Sequence, residues 1–374
     1  MHNNLRILHC PSCVGGNPYG LAKAERALGY DSWCIALSQT SFEHPADEFL
    51  STKDASLLFK ERQRWKLLLR AYWHFDVIHY NFGSSILRWQ SPQLPPNKKN
   101  KILQSLFNVY VKLCYWIERA LLKNKIIAVT FQGDDARQCD YSLRSFQYSI
   151  AQEVDEQYYP IGSDCKKRKL IEKFSQMAHF INAVNPDLLH VLPPHTQFMP
   201  YSHVFKNDWE CQPHPKSKKP IVLHAPSNAS AKGTRFIVDA VTQLQHEGIE
   251  FEFILVENMK YSEAIKLYQQ CDLVIDQLLA GWYGGFAVEA MALGKPVICY
   301  IRENDMQYLP PEMKSNLPII QATPDTICHV LREWITVKRH ELEARGIESR
   351  QFIECWHDPI KIAQGTISNY LSIN

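Results

Sequence analysis

The chain has 374 residues, 45% of them hydrophobic and 21% charged, with no low-complexity tract. That is enough for two domains with separate cores, and it excludes a disordered or fibrous protein. A formal net charge of +2 excludes whole-molecule attraction to nucleic acid, and an odd count of eleven scattered cysteines reads as reduced thiols rather than a disulfide framework.

The opening MHNNLRILHC runs into an apolar strand-like segment, Leu5–Cys10, with no signal-peptide hydrophobic region. No stretch reaches the ~18 apolar residues that span a bilayer, so a cytoplasmic protein is expected. Cys10-Pro11-Ser12-Cys13 is a lone CxxC. Without a second pair it defines no zinc or redox site, and no metal is expected. The loop CVGGNPYGLAKAERALG, residues 13–29, joins the first strand to an amphipathic helix. Gly15 and Gly16 there either let a phosphate approach the backbone or simply make a tight βα turn.

Further strands are predicted at Ser32–Leu37 and Val77–Tyr80. The second lies in DVIHYNFG, where His79 and Asn81 close the strand; a histidine in such a place is more often core than catalytic. Residues 102–123, ILQSLFNVYVKLCYWIERALLK, mix aromatic, aliphatic and basic residues at helical spacing. Such a helix can lie at a membrane surface or can cover a parallel sheet as an ordinary layer helix. The next strand, Ile126–Phe131, runs out in VTFQGDDAR, residues 129–137, which carries Gln132, the carboxylates Asp134 and Asp135, and Arg137.

After a strand at Phe180–Val184, residues 204–219 are polar and proline-bearing, and the alternation then restarts at Ile221–His224, Phe251–Val256, Leu273–Ile275 and Pro296–Ile301. Repeated β-α alternation predicts an α/β protein with parallel sheets, and the break predicts two Rossmann-like domains facing a cleft. The expected bounds are 1–203, a linker over 204–219, 220–355, and a C-terminal helix in 356–374 that packs back toward the first domain. Basic clusters at 98–101, 166–169 and 216–219 read as solvated faces.

Two loops of the second half carry chemistry. HAPSNASAKGTRF, residues 224–236, leaves a strand and enters a helix near Lys232-Gly233, which sets a cation beside a helix start and suits a diphosphate. CDLVIDQLLAGWYGGFAVEAMALGKPVICYI, residues 271–301, reads as strand, glycine loop, helix and strand, with Glu289 the one acid of the helix.

The second stretch resembles the retaining GT-B-fold glycosyltransferases of family 4. Their C-terminal domain carries Ala-Asp, a strand, Glu-Gly-Phe-Gly, an acid, and then Ala-Met-Ala-x-Gly-x-Pro-Val. Asp272, Tyr283-Gly284, Glu289 and the AMALGKPV of 290–297 match. The resemblance implies that Glu289 accepts hydrogen bonds from the ribose of a nucleoside-diphosphate sugar. The family's first acid, eight positions earlier, is Gly281 here. Either the amides of Gly284 and Gly285 hold the donor without it, or Asp276 supplies the missing acceptor. The family's lysine is matched by Lys232, but the arginine five residues before it is Ser227, so Arg235 is the candidate to compensate. Gly15 and Gly16 stand where the family's first loop approaches the donor phosphates.

In the N-terminal half many family members carry Thr-x-His-Gly-x-Asp, and Gln132 stands in place of that histidine. A glutamine orients a hydroxyl but does not act as a base. Asp135, which matches the family aspartate, and then Asp134 are the expected catalytic residues, with Arg137 a candidate for an acidic acceptor. The resemblance thus implies a glycosyltransferase with an acceptor-side N-terminal domain and a nucleotide-sugar-binding C-terminal domain. The donor is a co-substrate, no other cofactor is implied, and the acceptor is a glycan, a lipid-linked sugar or a small molecule, as in polysaccharide or glycolipid biosynthesis. No Asp-x-Asp metal motif occurs, so Lys232 and the loop amides would neutralise the leaving diphosphate. Two rival readings stand beside it: a nucleotide-sugar epimerase, and a silent GT-B protein serving as scaffold.

Overall fold

The computed structural model describes residues 5–40, 42–91, 98–211, 219–257, 259 and 261–373. Residues 212–218 of the polar stretch expected as a linker, with Lys216 and Lys218, fall outside the described residues, as do the side chains of residues 98–100.

Seven strands form the first sheet: β1 (Arg6–Cys10), β2 (Asp31–Ser38), β3 (Glu48–Ser51), β4 (Val77–Asn81), β5 (Ile126–Phe131), β6 (Phe180–Ala183) and β7 (Gln197–Phe198). Their order is β3-β2-β1-β4-β5-β6-β7. Five more form the second: β8 (Ile221–His224), β9 (Glu252–Leu255), β10 (Leu273–Ile275), β11 (Val297–Cys299) and β12 (Ile320–Gln321), in the order β12-β11-β10-β8-β9. Every pairing in both sheets is parallel. Helices cover both faces of such sheets, which is why IIAVTF in β5 is buried at every position and apolar at all but Thr130.

In an open parallel sheet, ligands collect beyond the strand carboxyl ends where the strand order reverses. Those points fall between β1 and β4 in the first sheet and between β8 and β10 in the second. The loops that leave β1, β5, β8 and β10 carry Gly15-Gly16, Gln132–Asp135, Lys232 and Asp276–Gly284 respectively.

The last helix, Pro359–Leu371, returns to the first sheet. Asp358 caps it by accepting the Ile360 N–H at 2.9 Å. Ala363 packs on Leu21 and Ala24 of the helix Asn17–Ala27, and Ile367 and Tyr370 join Leu5, Ile7 and Val77. Tyr370 also bonds His79 Nδ1 at 2.7 Å, while His79 Nε2 meets Thr130 at 2.7 Å. Burial, with His9 beside it, drives the His79 pKa well down. His79 and its neighbour Asn81 are buried core groups and do not open onto a ligand site.

The helix Asn17–Ala27 meets the chain crossing at 201–204 very closely. A Cβ added at Gly20 would lie 2.1 Å from the Ser202 carbonyl oxygen and 2.8 Å from His203 Cα. Backbone atoms of a crossing between two domains yield poorly. Gly20→Ala is therefore expected to destabilise the protein by about 1–3 kcal/mol, the usual range for overpacking. Urea denaturation checks this; an unchanged midpoint would mean that the helix slides away freely.

Candidate functional site

The C-terminal half of the site is built where β10 ends. Asp276 follows the strand with its carboxylate fully buried. One oxygen accepts from Lys232 Nζ at 2.9 Å and the other from the Gly284 N–H at 2.6 Å, just before the helix Gly285–Ala292. Asp276 therefore ties the lysine loop to the glycine loop and does not project into the cleft as a free acceptor. Lys232 ends the short helix Ala229–Lys232, which Asn228 caps by accepting the Ala231 N–H at 2.9 Å. An ammonium has three donors, and one goes to Asp276.

Gly281 has a physical reason for being glycine. Its φ is +81°, and a Cβ there would lie 2.5 Å from Arg302 Nη1. Where the family's first acid is expected, this chain instead packs the Arg302 guanidinium. Arg302 pairs with Asp305 at 2.7 Å and stacks 3.5 Å above the Phe146 ring centroid. Asp305 in turn takes His190 Nε2 at 2.7 Å. Phe146 and His190 belong to the N-terminal half, so this cluster bridges the cleft.

Glu289 accepts from the Tyr261 hydroxyl at 2.8 Å and stands 3.6 Å from His203 Nε2. His203 is the hub that the sequence did not disclose. A Cβ on Gly16 would meet its Cβ at 3.3 Å, and one on Gly285 would meet its ring at 3.6 Å. The two glycine loops thus face each other across one imidazole. Around it lies a cavity of about 210 Å³ lined by Gly15, Gly16, His44, His203, Tyr261 and Glu289. The only advance signal was the position of His203 at the end of the first domain.

On the N-terminal side, Gln132 Oε1 accepts from Asn17 Nδ2 at 3.1 Å and lies as close to where a Gly15 Cβ would be. Its Nε2 is buried with no hydrogen-bond partner among the described residues, an expensive state that a bound hydroxyl or phosphate oxygen would relieve. Asp135 turns back onto its own loop, accepting the N–H groups of Gln132 at 3.1 Å and Gly133 at 2.7 Å. Burial pushes its pKa up to about 7. Asp134 bonds Arg137 at 2.9 Å, Tyr159 at 2.6 Å and Tyr158. Against the cost of burial, these partners hold its carboxyl below the usual range. Both acids are thus committed to protein partners. Arg137 lies buried between Asp134 and Asp187, 2.7 Å from the latter, and is not available to an acceptor.

Two other expected ligands stand apart. Arg235 pairs with Glu153 across the cleft at 2.5 Å, at the exposed rim, and does not join Lys232. Ser227 is exposed on the loop before Asn228. Cys10 and Cys13 are both buried with burial-raised pKa values, and no group of three His, Cys, Asp or Glu side chains suited to a metal occurs among the described residues.

By sequence, no protein-family model and no curated protein matches the chain. By structure, the chain is similar over nearly its whole length to several two-domain sugar-transferring enzymes. Sucrose-phosphate synthase from Thermosynechococcus elongatus superposes with a TM-score of 0.60 at 14% identity, covering 98% of this chain and 99% of that one. HepE from Anabaena, solved with UDP-glucose, gives 0.58 at 13%, covering 99% and 100%. The catalytic domain of starch synthase IV from Arabidopsis thaliana, solved with ADP and acarbose, gives 0.55 at 12%, covering 99% of each chain. The chain thus has the GT-B glycosyltransferase fold, two Rossmann-like domains with parallel sheets. At this level of identity the likeness speaks for the fold alone.

Proposed function

We propose that the chain transfers a glycosyl group from a nucleoside-diphosphate sugar to a glycan, lipid-linked or small-molecule acceptor, with retention at the sugar carbon. The observation that carries the reading is the cavity around His203, where the glycine loop after β1 faces Glu289 and the start of the helix Gly285–Ala292. Glu289 accepts from the ribose hydroxyls. Lys232 turns its remaining donors to the diphosphate, helped by the amides of Gly15 and Gly285, while the Gly16 N–H is taken by the Cys13 carbonyl at 3.1 Å. Gln132 orients a sugar hydroxyl through its unpaired Nε2–H.

In the reaction the bond from the anomeric carbon to the diphosphate oxygen breaks. The acceptor oxygen bonds to the same face of that carbon, and its proton passes to the departing phosphate. No protein base is required, in keeping with the commitments of Asp134 and Asp135. The acceptor enters from the N-terminal side of a cytoplasmic enzyme. A separate opening of about 380 Å³ lies between the two halves, lined by Glu153, Tyr158, Asn228 and Ser230.

A thermal-shift screen of nucleoside diphosphates and their sugars tests the reading, since a ligand of the folded state raises the melting temperature by mass action. A shift with one diphosphate and release of sugar from its donor are expected. Release without need of an acceptor would indicate an epimerase-like hydrolysis instead; a putative UDP-N-acetylglucosamine 2-epimerase from Listeria monocytogenes also superposes, with a TM-score of 0.51. A silent scaffold is the reading favoured by the Lys232–Asp276 pair and by Arg302 at Gly281, and the absence of any shift would select it.

Glu289→Ala gives the residue-level test. Loss of a charged hydrogen-bond acceptor is expected to weaken nucleotide binding by about 1.5–3 kcal/mol. Calorimetric titration measures it, and unchanged affinity would remove Glu289 from the ribose site.

A further inference from the structure

Helices Leu57–His74 and Lys98–Leu121 lie side by side over the first sheet. Trp65 Nε1 donates to the Tyr110 hydroxyl at 3.3 Å, and that hydroxyl donates to Glu61 at 3.0 Å. They precede β4 and β5, which are parallel neighbours, so they run the same way and end at the same edge. The second helix buries Val111, Cys114 and Tyr115 on the sheet. Its opposite side exposes Ile102, Leu106, Val109, Leu113 and Trp116, spaced by four and three residues in turn. That spacing makes one continuous apolar stripe, with Leu106 62% and Trp116 61% exposed. The first helix adds Leu58, 85% exposed, with Leu69 and Trp73. Trp73 and Trp116 both fall near the shared C-terminal edge.

Charge decides what covers this face. Each helix carries five basic residues and a single acid. Both acids are engaged inward: Glu61 pairs with Arg88, and Glu118 is fully buried. The exposed charges beside the stripe, Arg62, Lys66, Lys101 and Lys112, are thus all positive, in a protein whose net charge is only +2. A second copy docked about a two-fold axis would set these cations against each other. An anionic lipid surface complements them, takes up the leucines, and receives the two tryptophans at headgroup depth. No helix among the described residues is long and apolar enough to cross a membrane, so the contact is peripheral.

We propose that the paired helices Leu57–His74 and Lys98–Leu121 form a docking face for anionic phospholipid, through the apolar stripe Ile102–Trp116 and its flanking lysines. The proposal is independent of the sugar chemistry and is tested without any donor. The full chain is sedimented with vesicles of phosphatidylcholine alone and of phosphatidylcholine with phosphatidylglycerol, at about 0.02 M and about 0.5 M salt, on either side of the point where the screening length falls below a side chain's reach. It is expected to sediment with the anionic vesicles at low salt, and to be released by high salt or by removal of phosphatidylglycerol. Lys101→Gln/Lys112→Gln should weaken that partition roughly tenfold or more. Leu106→Glu/Leu113→Glu should abolish it while melting at the parent temperature, since both leucines are exposed. Two results overturn the proposal: no sedimentation at low salt with anionic vesicles, or a lipid-free dimer in sedimentation equilibrium that Leu106→Glu/Leu113→Glu splits, which would assign the face to a second copy.

Discussion

Lys232→Ala is expected to lower stability and diphosphate affinity together. Asp276 is fully buried and its charge is matched by Lys232 at 2.9 Å. Removing the ammonium leaves a buried carboxylate uncompensated, a change that typically costs about 3–5 kcal/mol. The lower end applies here, because the Lys232 side chain is 20% exposed and water shares its screening. The double variant Lys232→Ala/Asp276→Asn separates the two effects. Asparagine keeps an acceptor oxygen for the Gly284 N–H and carries no charge, so chemical denaturation should recover most of the lost stability. Binding of a nucleoside diphosphate should stay about 1.5–3 kcal/mol weaker, while the bare nucleoside is little affected. Equal losses for nucleoside and diphosphate in the double variant would restrict Lys232 to holding the fold.

The second large effect is expected at Glu118, away from the cleft. Its buried carboxylate accepts from the Tyr80 hydroxyl at 2.7 Å, Trp89 Nε1 at 2.8 Å, and the N–H groups of Ile86 at 3.1 Å and Leu87 at 2.9 Å. The loop after β4 is thus anchored on one side chain. Glu118→Leu fills the space but strands four buried donors, each worth about 1–3 kcal/mol when unpaired. A loss of about 4 kcal/mol or more is expected, enough to unfold a marginal domain at ambient temperature.

The same residue gives a pH dependence. Burial pushes the Glu118 pKa from its ordinary 4.5 up to about 7, even though its donors act the other way. A carboxyl whose pKa is raised by folding holds its proton longer in the folded than in the unfolded chain. Its contribution is complete below about 4.5 and is lost as pH rises to about 7. Asp135, raised from 3.8 to about 7, acts with the same sign. Denaturation midpoints should therefore fall from weakly acid to neutral pH, less steeply in a Glu118→Gln variant if it folds. A slope of opposite sign there would mean that Glu118 is ionised throughout.

Much of the architecture was legible because parallel strands buried on both faces must be apolar nearly throughout. The runs that become β1, β5, β8 and β10 could hardly be read otherwise. The short edge strands β3, β7 and β12 left no such mark. They are two to four residues long and partly exposed, and only a neighbouring strand turns such a segment into sheet. The glycine loops could be read as well, because a turn from strand to helix imposes a local backbone demand. Gly15, Gly16 and Gly281 meet it with positive φ.

The sequence by itself thus determined an α/β chain of two parallel sheets, the loops that bring backbone amides to their carboxyl edges, and Glu289 and Lys232 beside those loops. Tertiary structure alone decided which side chains face the cavity. Neighbouring Asp134 and Asp135 are alike in sequence, yet Arg137 with two tyrosines claims one and the loop's own amides claim the other. Gly281 looks like a lost acid until Arg302, 21 residues on, is found filling its space. His203 gains its place only because a domain crossing passes between two glycine loops. Backbone geometry is a local demand that neighbours in sequence can reveal. The partner of a buried charge is set by whatever the fold brings within about 3 Å, and no spacing along the chain records that.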